Sequence, residues 1–121
     1  MDLVSWGVTI SAFLKHGLND EALYLFTLFR DECTQEPDEF ILATILNACA
    51  NAALIGQCRC IHSLVVRAGY SKHFCVASAL VDAYAKCGDV TAAESVFTDV
   101  SLVTNDTILY NTMLTAYANH G

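Results

Sequence analysis

Six cysteines and four histidines are the side chains best suited to nucleophilic or metal chemistry in this 121-residue sequence. Their spacing argues against both. On a helix, Cys58 and Cys60 set their sulfurs about 200° apart, on faces that do not share a metal ion. No C-x2-C occurs, and His16, His62, His73 and His120 are scattered without a carboxylate or cysteine at a common ligand spacing. No catalytic residue, metal or cofactor is therefore expected. His62 follows Ile61 inside an apolar helical pattern and reads as a packed or hydrogen-bonded histidine. Asp2 is acidic, and no basic segment precedes an apolar one, so no secretory signal is expected. The thiols then read as reduced, small core hydrophobes.

The elements that would have to position any site come from an internal repeat. Gly17, Ala22 and Phe26 recur at the same spacing as Gly88, Ala93 and Phe97. The same offset carries Ile10 to Val81, Ala12 to Ala83, Phe13 to Tyr84 and Lys15 to Lys86. Half of that offset, to within one position, takes Ile10 to Leu46 and Ala12 to Ala48. A further unit carries Val81, Ala83, Tyr84 and Gly88 to Leu114, Ala116, Tyr117 and Gly121. A period of roughly 35 residues marks a solenoid of helix pairs, each burying its apolar stripe against the next.

Within unit one, Val4, Trp6, Ile10, Phe13 and Leu14 predict a first helix that Gly17 ends. Asn19 and Asp20 are the expected N-caps of a second helix, with Ala22, Leu23, Leu25, Phe26 and Phe29 as its buried face. Pro37 and Asp38 restart the pattern. Gly88 and Asp89 repeat the stop and cap ahead of Ala92, Ala93, Val96 and Phe97. Small residues at Ala12, Ala48, Ala83 and Ala116 are expected to let neighbouring helices approach. The uncharged run from Phe40 to Cys58 breaks at Asn51-Ala52-Ala53, and two buried helices explain it better than a membrane span. The expected architecture is all-α: a right-handed solenoid of antiparallel helix pairs with about three and a half repeats. The units fall near 3–38, 39–73, 74–106 and an incomplete 107–121.

Several segments carry a family resemblance. Asp2-Leu-Val-Ser-Trp-Gly, Asn19-Asp-Glu-Ala-Leu-Tyr-Leu-Phe and Glu36-Pro-Asp-Glu-Phe resemble a pentatricopeptide unit. Ile45-Leu-Asn-Ala-Cys-Ala with Ile61-His-Ser-Leu-Val-Val-Arg-Ala-Gly resembles the long variant. Ala79-Leu-Val-Asp-Ala-Tyr-Ala-Lys-Cys-Gly-Asp with Ala93-Glu-Ser-Val-Phe resembles the short one, and Thr107-Ile-Leu-Tyr-Asn-Thr-Met-Leu opens another unit. The alternation is similar to the plant PLS subfamily. The resemblance implies a non-catalytic module for single-stranded organellar RNA, supporting RNA processing or C-to-U editing in a mitochondrion or chloroplast. It implies that first helices line the concave face. There, a residue in the first turn pairs with the last residue of its motif to read one base edge, and an apolar residue three positions earlier packs on the base.

Carried over unit by unit, the resemblance assigns Gly7 with Asp38 and packing Val4, Ala43 with His73 and packing Phe40, and Ser78 with Asp106 and packing Cys75. Unit four offers Asn111 with packing Ile108. Ser78 with Asp106 resembles a guanine reader and Asn111 a pyrimidine reader, while Gly7 and Ala43 have little to discriminate with. The family's editing members carry H-x-E and P-C-x-x-C zinc motifs, and neither occurs in this sequence.

Charge qualifies the RNA reading. Thirteen acids against six bases leave a net charge of −7, whereas a phosphate chain favours Lys and Arg. Eight of the acids fall between Asp2 and Glu39, and Arg59, Arg67, Lys72 and Lys86 come later. Weak RNA binding by this stretch alone is expected, with the acids on the convex face. The alternatives are a protein-interaction scaffold or a truncated, non-functional fragment. Tyr110, Met113, Leu114 and Tyr117 would leave an apolar end open to a protein partner. No Arg or Lys precedes Lys15, so no organelle presequence is expected in this stretch.

Overall fold

Capping bonds, turns and apolar stripes divide the chain as the repeat predicts. A computed structural model describes residues 2–33 and 35–101, with positions 111, 114, 115 and 118. Six helices follow one another: α1 (Leu3–Lys15), α2 (Asn19–Glu32), α3 (Glu39–Ala52), α4 (Ile55–Ala68), α5 (Phe74–Lys86) and α6 (Val90–Ser101). No strand occurs among the described residues, and no described helix is long and apolar enough to cross a membrane. The Phe40–Cys58 run is split between α3 and α4, as its break predicts.

Asp2 starts α1 by accepting from the Ser5 N–H at 2.8 Å, and Asp38 starts α3 by accepting from the Ile41 N–H at 2.9 Å. Asp89 does the same for α6, accepting from the Ala92 N–H at 3.1 Å. Each bond satisfies an N–H that the helix leaves without an internal partner. The prediction for α2 needs correction. Leu18 takes its N-cap without a side-chain bond, and Asn19 lies inside the helix. Asp20 and Glu21 instead place carboxylates in the first turn, where they complement the helix dipole.

Each turn from one helix to its partner closes the same way. The N–H of Leu18 reaches the carbonyl of Phe13, Leu54 reaches Cys49, and Asp89 reaches Tyr84, at 3.0, 3.0 and 2.8 Å. This closure needs a left-handed residue just before the donor. Gly17 and Gly88 supply it at φ 76° and 90°, and Ala53 supplies it at φ 54° despite its side chain.

α1, α3 and α5 lie side by side, and each hairpin sets its second helix outside this row. Trp6, Ile10, Ala22, Phe26 and Phe29 form the core of the first pair, with the Trp6 and Phe29 rings edge to face at 5.7 Å. Ile41, Ile45, Leu46 and Ala48 on α3 and Leu80, Val81 and Ala83 on α5 are buried, and α3 packs on both α1 and α5. Ala48 and Ala83 are fully buried, but Ala12 is exposed because no described helix packs on that side of α1. Val4, read as part of the core stripe, is 71% exposed.

The two layers are spaced differently. Backbones approach closely between α1 and α3 and between α3 and α5, but not between α2 and α4 or between α4 and α6. Clefts open instead: about 390 Å³ between α2 and α4, and about 190 Å³ between α4 and α6. A stack that is tighter on one layer curves toward it, so α1, α3 and α5 form the inner face.

Candidate nucleic-acid interface

The inner face is ordered by helical register. Residues three, four and seven apart share a helix face, so Val4, Gly7 and Ser11 align on α1. Phe40, Ala43 and Asn47 align on α3, and Cys75, Ser78 and Asp82 on α5. The first position is apolar in every case, and all three side chains are exposed, Val4 at 71% and Phe40 at 49%. Val8, one turn beyond Val4, adds a further exposed apolar group at 59%. The family resemblance did not include Val8, although its four-residue spacing from Val4 was a usable signal. Apolar side chains left wholly or partly in water at one register of adjacent helices form an exposed apolar surface.

The second position grows along the chain from Gly7 to Ala43 to Ser78. Gly7 is buried, because the Phe40 ring lies against it. Ala43 and Ser78 are half-buried. Asp38, the expected partner of Gly7, has its Oδ1 engaged as the cap of α3. His73, the expected partner of Ala43, occupies the N-cap of α5 without making a cap bond. Its Nδ1 is buried and has no hydrogen-bond partner among the described residues, and its ring meets Tyr70 edge-on at 5.8 Å. The Tyr70 phenol is held above its ordinary range by desolvation and by the adjacent Glu39 and Asp38 carboxylates. Negative charge therefore gathers where units one and two meet. Asp106 and Ile108 lie outside the described residues, and Asn111 is helical and exposed.

The exposed acids are concentrated in the outer layer without being confined to it: Glu39 is exposed on inner α3, and Asp82 is half-buried on inner α5. Asp20, Glu21, Asp31 and Glu32 are exposed on α2, and Glu94 and Asp99 on α6, all in the outer layer. Among the bases expected to favour RNA, Arg59 pairs with Asp89 at 3.4 Å, and Lys86 pairs with Asp82 at 3.3 Å across one helical turn. Lys72 donates to the Asp99 carbonyl at 3.1 Å. The bases on the outer helix and its loop thus meet acids and carbonyls of the next hairpin.

The other candidate residues behave structurally. His62 joins Tyr84 through a 2.7 Å hydrogen bond and an edge-to-face ring contact at 5.5 Å. Burial lowers the His62 pKa and pushes the Tyr84 phenol up to about 12. Cys58 is buried and Cys60 exposed, on opposite faces of α4. All six cysteines are free. Burial pushes the Cys49 thiol up to about 11 and the Cys58 thiol up to about 12, so both remain protonated. Among the described residues, no three His, Cys, Asp or Glu side chains converge on a metal-sized site. Leu114 is 65% exposed; Tyr110, Met113, Ala116 and Tyr117 lie outside the described residues.

Comparison with known proteins gives this geometry a family context. A family model described as the PPR repeat matches residues 4–32 and 75–100. The two matches begin at Val4 and Cys75, the same offset that separates Gly17 from Gly88. The chain is 37% identical to the pentatricopeptide repeat-containing protein DOT4, chloroplastic, of Arabidopsis thaliana, over 99% of this chain and 14% of that protein. Two mitochondrial pentatricopeptide repeat-containing proteins of the same plant are each 33% identical, over 99% and 98% of the chain and 19% of each relative. The chain therefore spans less than a fifth of the length of these relatives.

Proposed function

We propose, from the premise that this chain belongs to the pentatricopeptide repeat family, that its inner face holds single-stranded RNA with about one base per unit. The observation that carries this reading is the exposed row Val4, Phe40 and Cys75, repeated at one register of three adjacent helices. Unstacked bases offer flat faces to such apolar groups and hydrogen-bonding edges to short polar side chains one turn away. The outer position of the α2 and α6 acids leaves the inner face less opposed to phosphate than the net charge implies.

The units contribute unequally. Unit three, with Ser78 and Asp106 as the reading pair, selects guanine. Unit four, with Asn111 as reader and Ile108 as packing residue, favours a pyrimidine. Unit one (Gly7, Asp38) and unit two (Ala43, His73) hold a base without selecting it strongly. The array is of the PLS type and serves organellar RNA processing or C-to-U editing, in a mitochondrion or chloroplast.

Titration of the purified chain against short RNAs that vary one base at a time, at low and moderate salt, tests this reading. Binding should weaken as salt rises and should prefer guanine at one position. Asp106→Asn should move that preference toward adenine. An unchanged preference rejects Ser78 and Asp106 as the pair, and binding of a protein partner without RNA affinity would favour a scaffold instead.

A further inference from the structure

Gly7 is buried by a ring from the next unit. A Cβ placed on Gly7 would stand 3.0 Å from Phe40 Cδ1, 3.3 Å from Phe40 Cε1 and 3.3 Å from Ile41 Cγ1. Carbon atoms in contact settle at roughly 3.5–4.0 Å, so even alanine requires the ring to give way. Any longer side chain carries the same Cβ and meets the same ring. The ring is nevertheless 49% exposed, so part of it covers the α1 backbone while part stays open to solvent. The next junction differs. Ala43 stands in the register of Gly7, Cys75 stands in that of Phe40, and both carry small side chains.

We infer that Phe40 sets the base selectivity of unit one: its ring fills the space a reading side chain would need and leaves a base-neutral stacking shelf. The inference rests on the RNA-binding reading of the inner face. The ring carries no donor or acceptor, and every base has a face that can stack on it. Asp38 has no side chain at Gly7 to pair with, and one of its two carboxylate oxygens, Oδ1, is engaged by the cap bond from the Ile41 N–H. The blank at unit one is therefore a property of two residues, and changing Gly7 alone does not convert it into a reader.

Four proteins test this: the wild type, Gly7→Asn, Phe40→Val (the side chain unit one itself carries in that register), and the double variant. Each is titrated at low salt against RNAs varied at single positions. Gly7→Asn alone should gain no base preference. The double variant should gain a preference of roughly fivefold or more at a position where the wild type is indifferent. A comparable gain in Gly7→Asn alone, or none in a folded double variant, overturns the inference. A melting cycle reads the steric clash without RNA. Alanine is the better helix former, so Gly7→Ala should raise the melting temperature more in the Phe40→Val background than in the wild type. Equal gains overturn the proposed exclusion. If no protein in the set binds RNA, the RNA reading itself fails, and the melting cycle still reports whether the ring excludes a side chain.

Discussion

The inner and outer helices come from the same hairpins but meet their neighbours in different ways. α1, α3 and α5 touch along the stack, with fully buried Ile41, Ile45, Leu46, Leu80 and Val81 between them. α2, α4 and α6 are held apart by clefts, and α2 and α6 carry six exposed acids, Asp20, Glu21, Asp31, Glu32, Glu94 and Asp99. Cohesion between hairpins thus comes from the inner layer packing on itself and on the outer helices beside it. The difference teaches how a repeat array can combine rigidity with a usable surface. The same tight layer that holds the hairpins together aligns the exposed row of Val4, Phe40 and Cys75.

The largest effect expected from this contrast lies in the packing. Leu80 is 1% exposed on α5, and Leu80→Ala should cost about 2–5 kcal/mol in denaturant unfolding, by lost burial and the cavity left behind. Tyr24 is 64% exposed on outer α2, and Tyr24→Ala should change stability by no more than about 0.5 kcal/mol. Similar costs at the two sites would break the contrast.

The turns that join the layers come next. Gly88 holds φ 90°, and Gly88→Ala should lower stability by about 1 kcal/mol. Ala53 fills the same role at φ 54°, so Ala53→Gly should raise stability by up to about 1 kcal/mol. Thermal melts of the two variants should therefore move in opposite directions.

The smallest effect concerns the tie between outer His62 and inner Tyr84. Burial lowers the His62 pKa, so the unfolded chain binds this proton more readily than the folded one. Its contribution to stability is present above the ordinary histidine value and is lost as pH falls through the lowered one. Melting temperature should decline between about pH 7 and 5, and His62→Gln should flatten that decline. An unchanged slope would separate the loss from His62.

Much of this was legible in the sequence because it is local. Gly17 and Gly88 mark turns whose chemistry depends on one residue, and Asp38 and Asp89 cap helices through bonds that reach only one turn ahead. The period itself follows from repeating such signals. The caps failed where local preference was overruled: Asn19 and Asp20 are the better capping residues, yet the turn closed by Gly17 leaves Leu18 in the position. Nonlocal contacts were less legible. Val4 satisfies the helical apolar stripe as well as Ile10 does, and only the arrangement of α3 beside α1 decides that Ile10 is buried and Val4 exposed. The Gly7–Phe40 contact joins two consecutive units through residues well separated along the chain, so neither residue reveals the other in sequence.

The central claim is that RNA lies along the inner layer and not the outer one. Asn47 is exposed on inner α3, and Gln57 is exposed on outer α4, beside the cleft. Asn47→Glu and Gln57→Glu add the same carboxylate to the two layers, and RNA affinity at low salt compares them directly. The inner variant should bind about tenfold more weakly, by like-charge repulsion from phosphate, and the outer variant should stay near wild type. Equal losses, or a larger loss at Gln57, would contradict the assignment of the inner face.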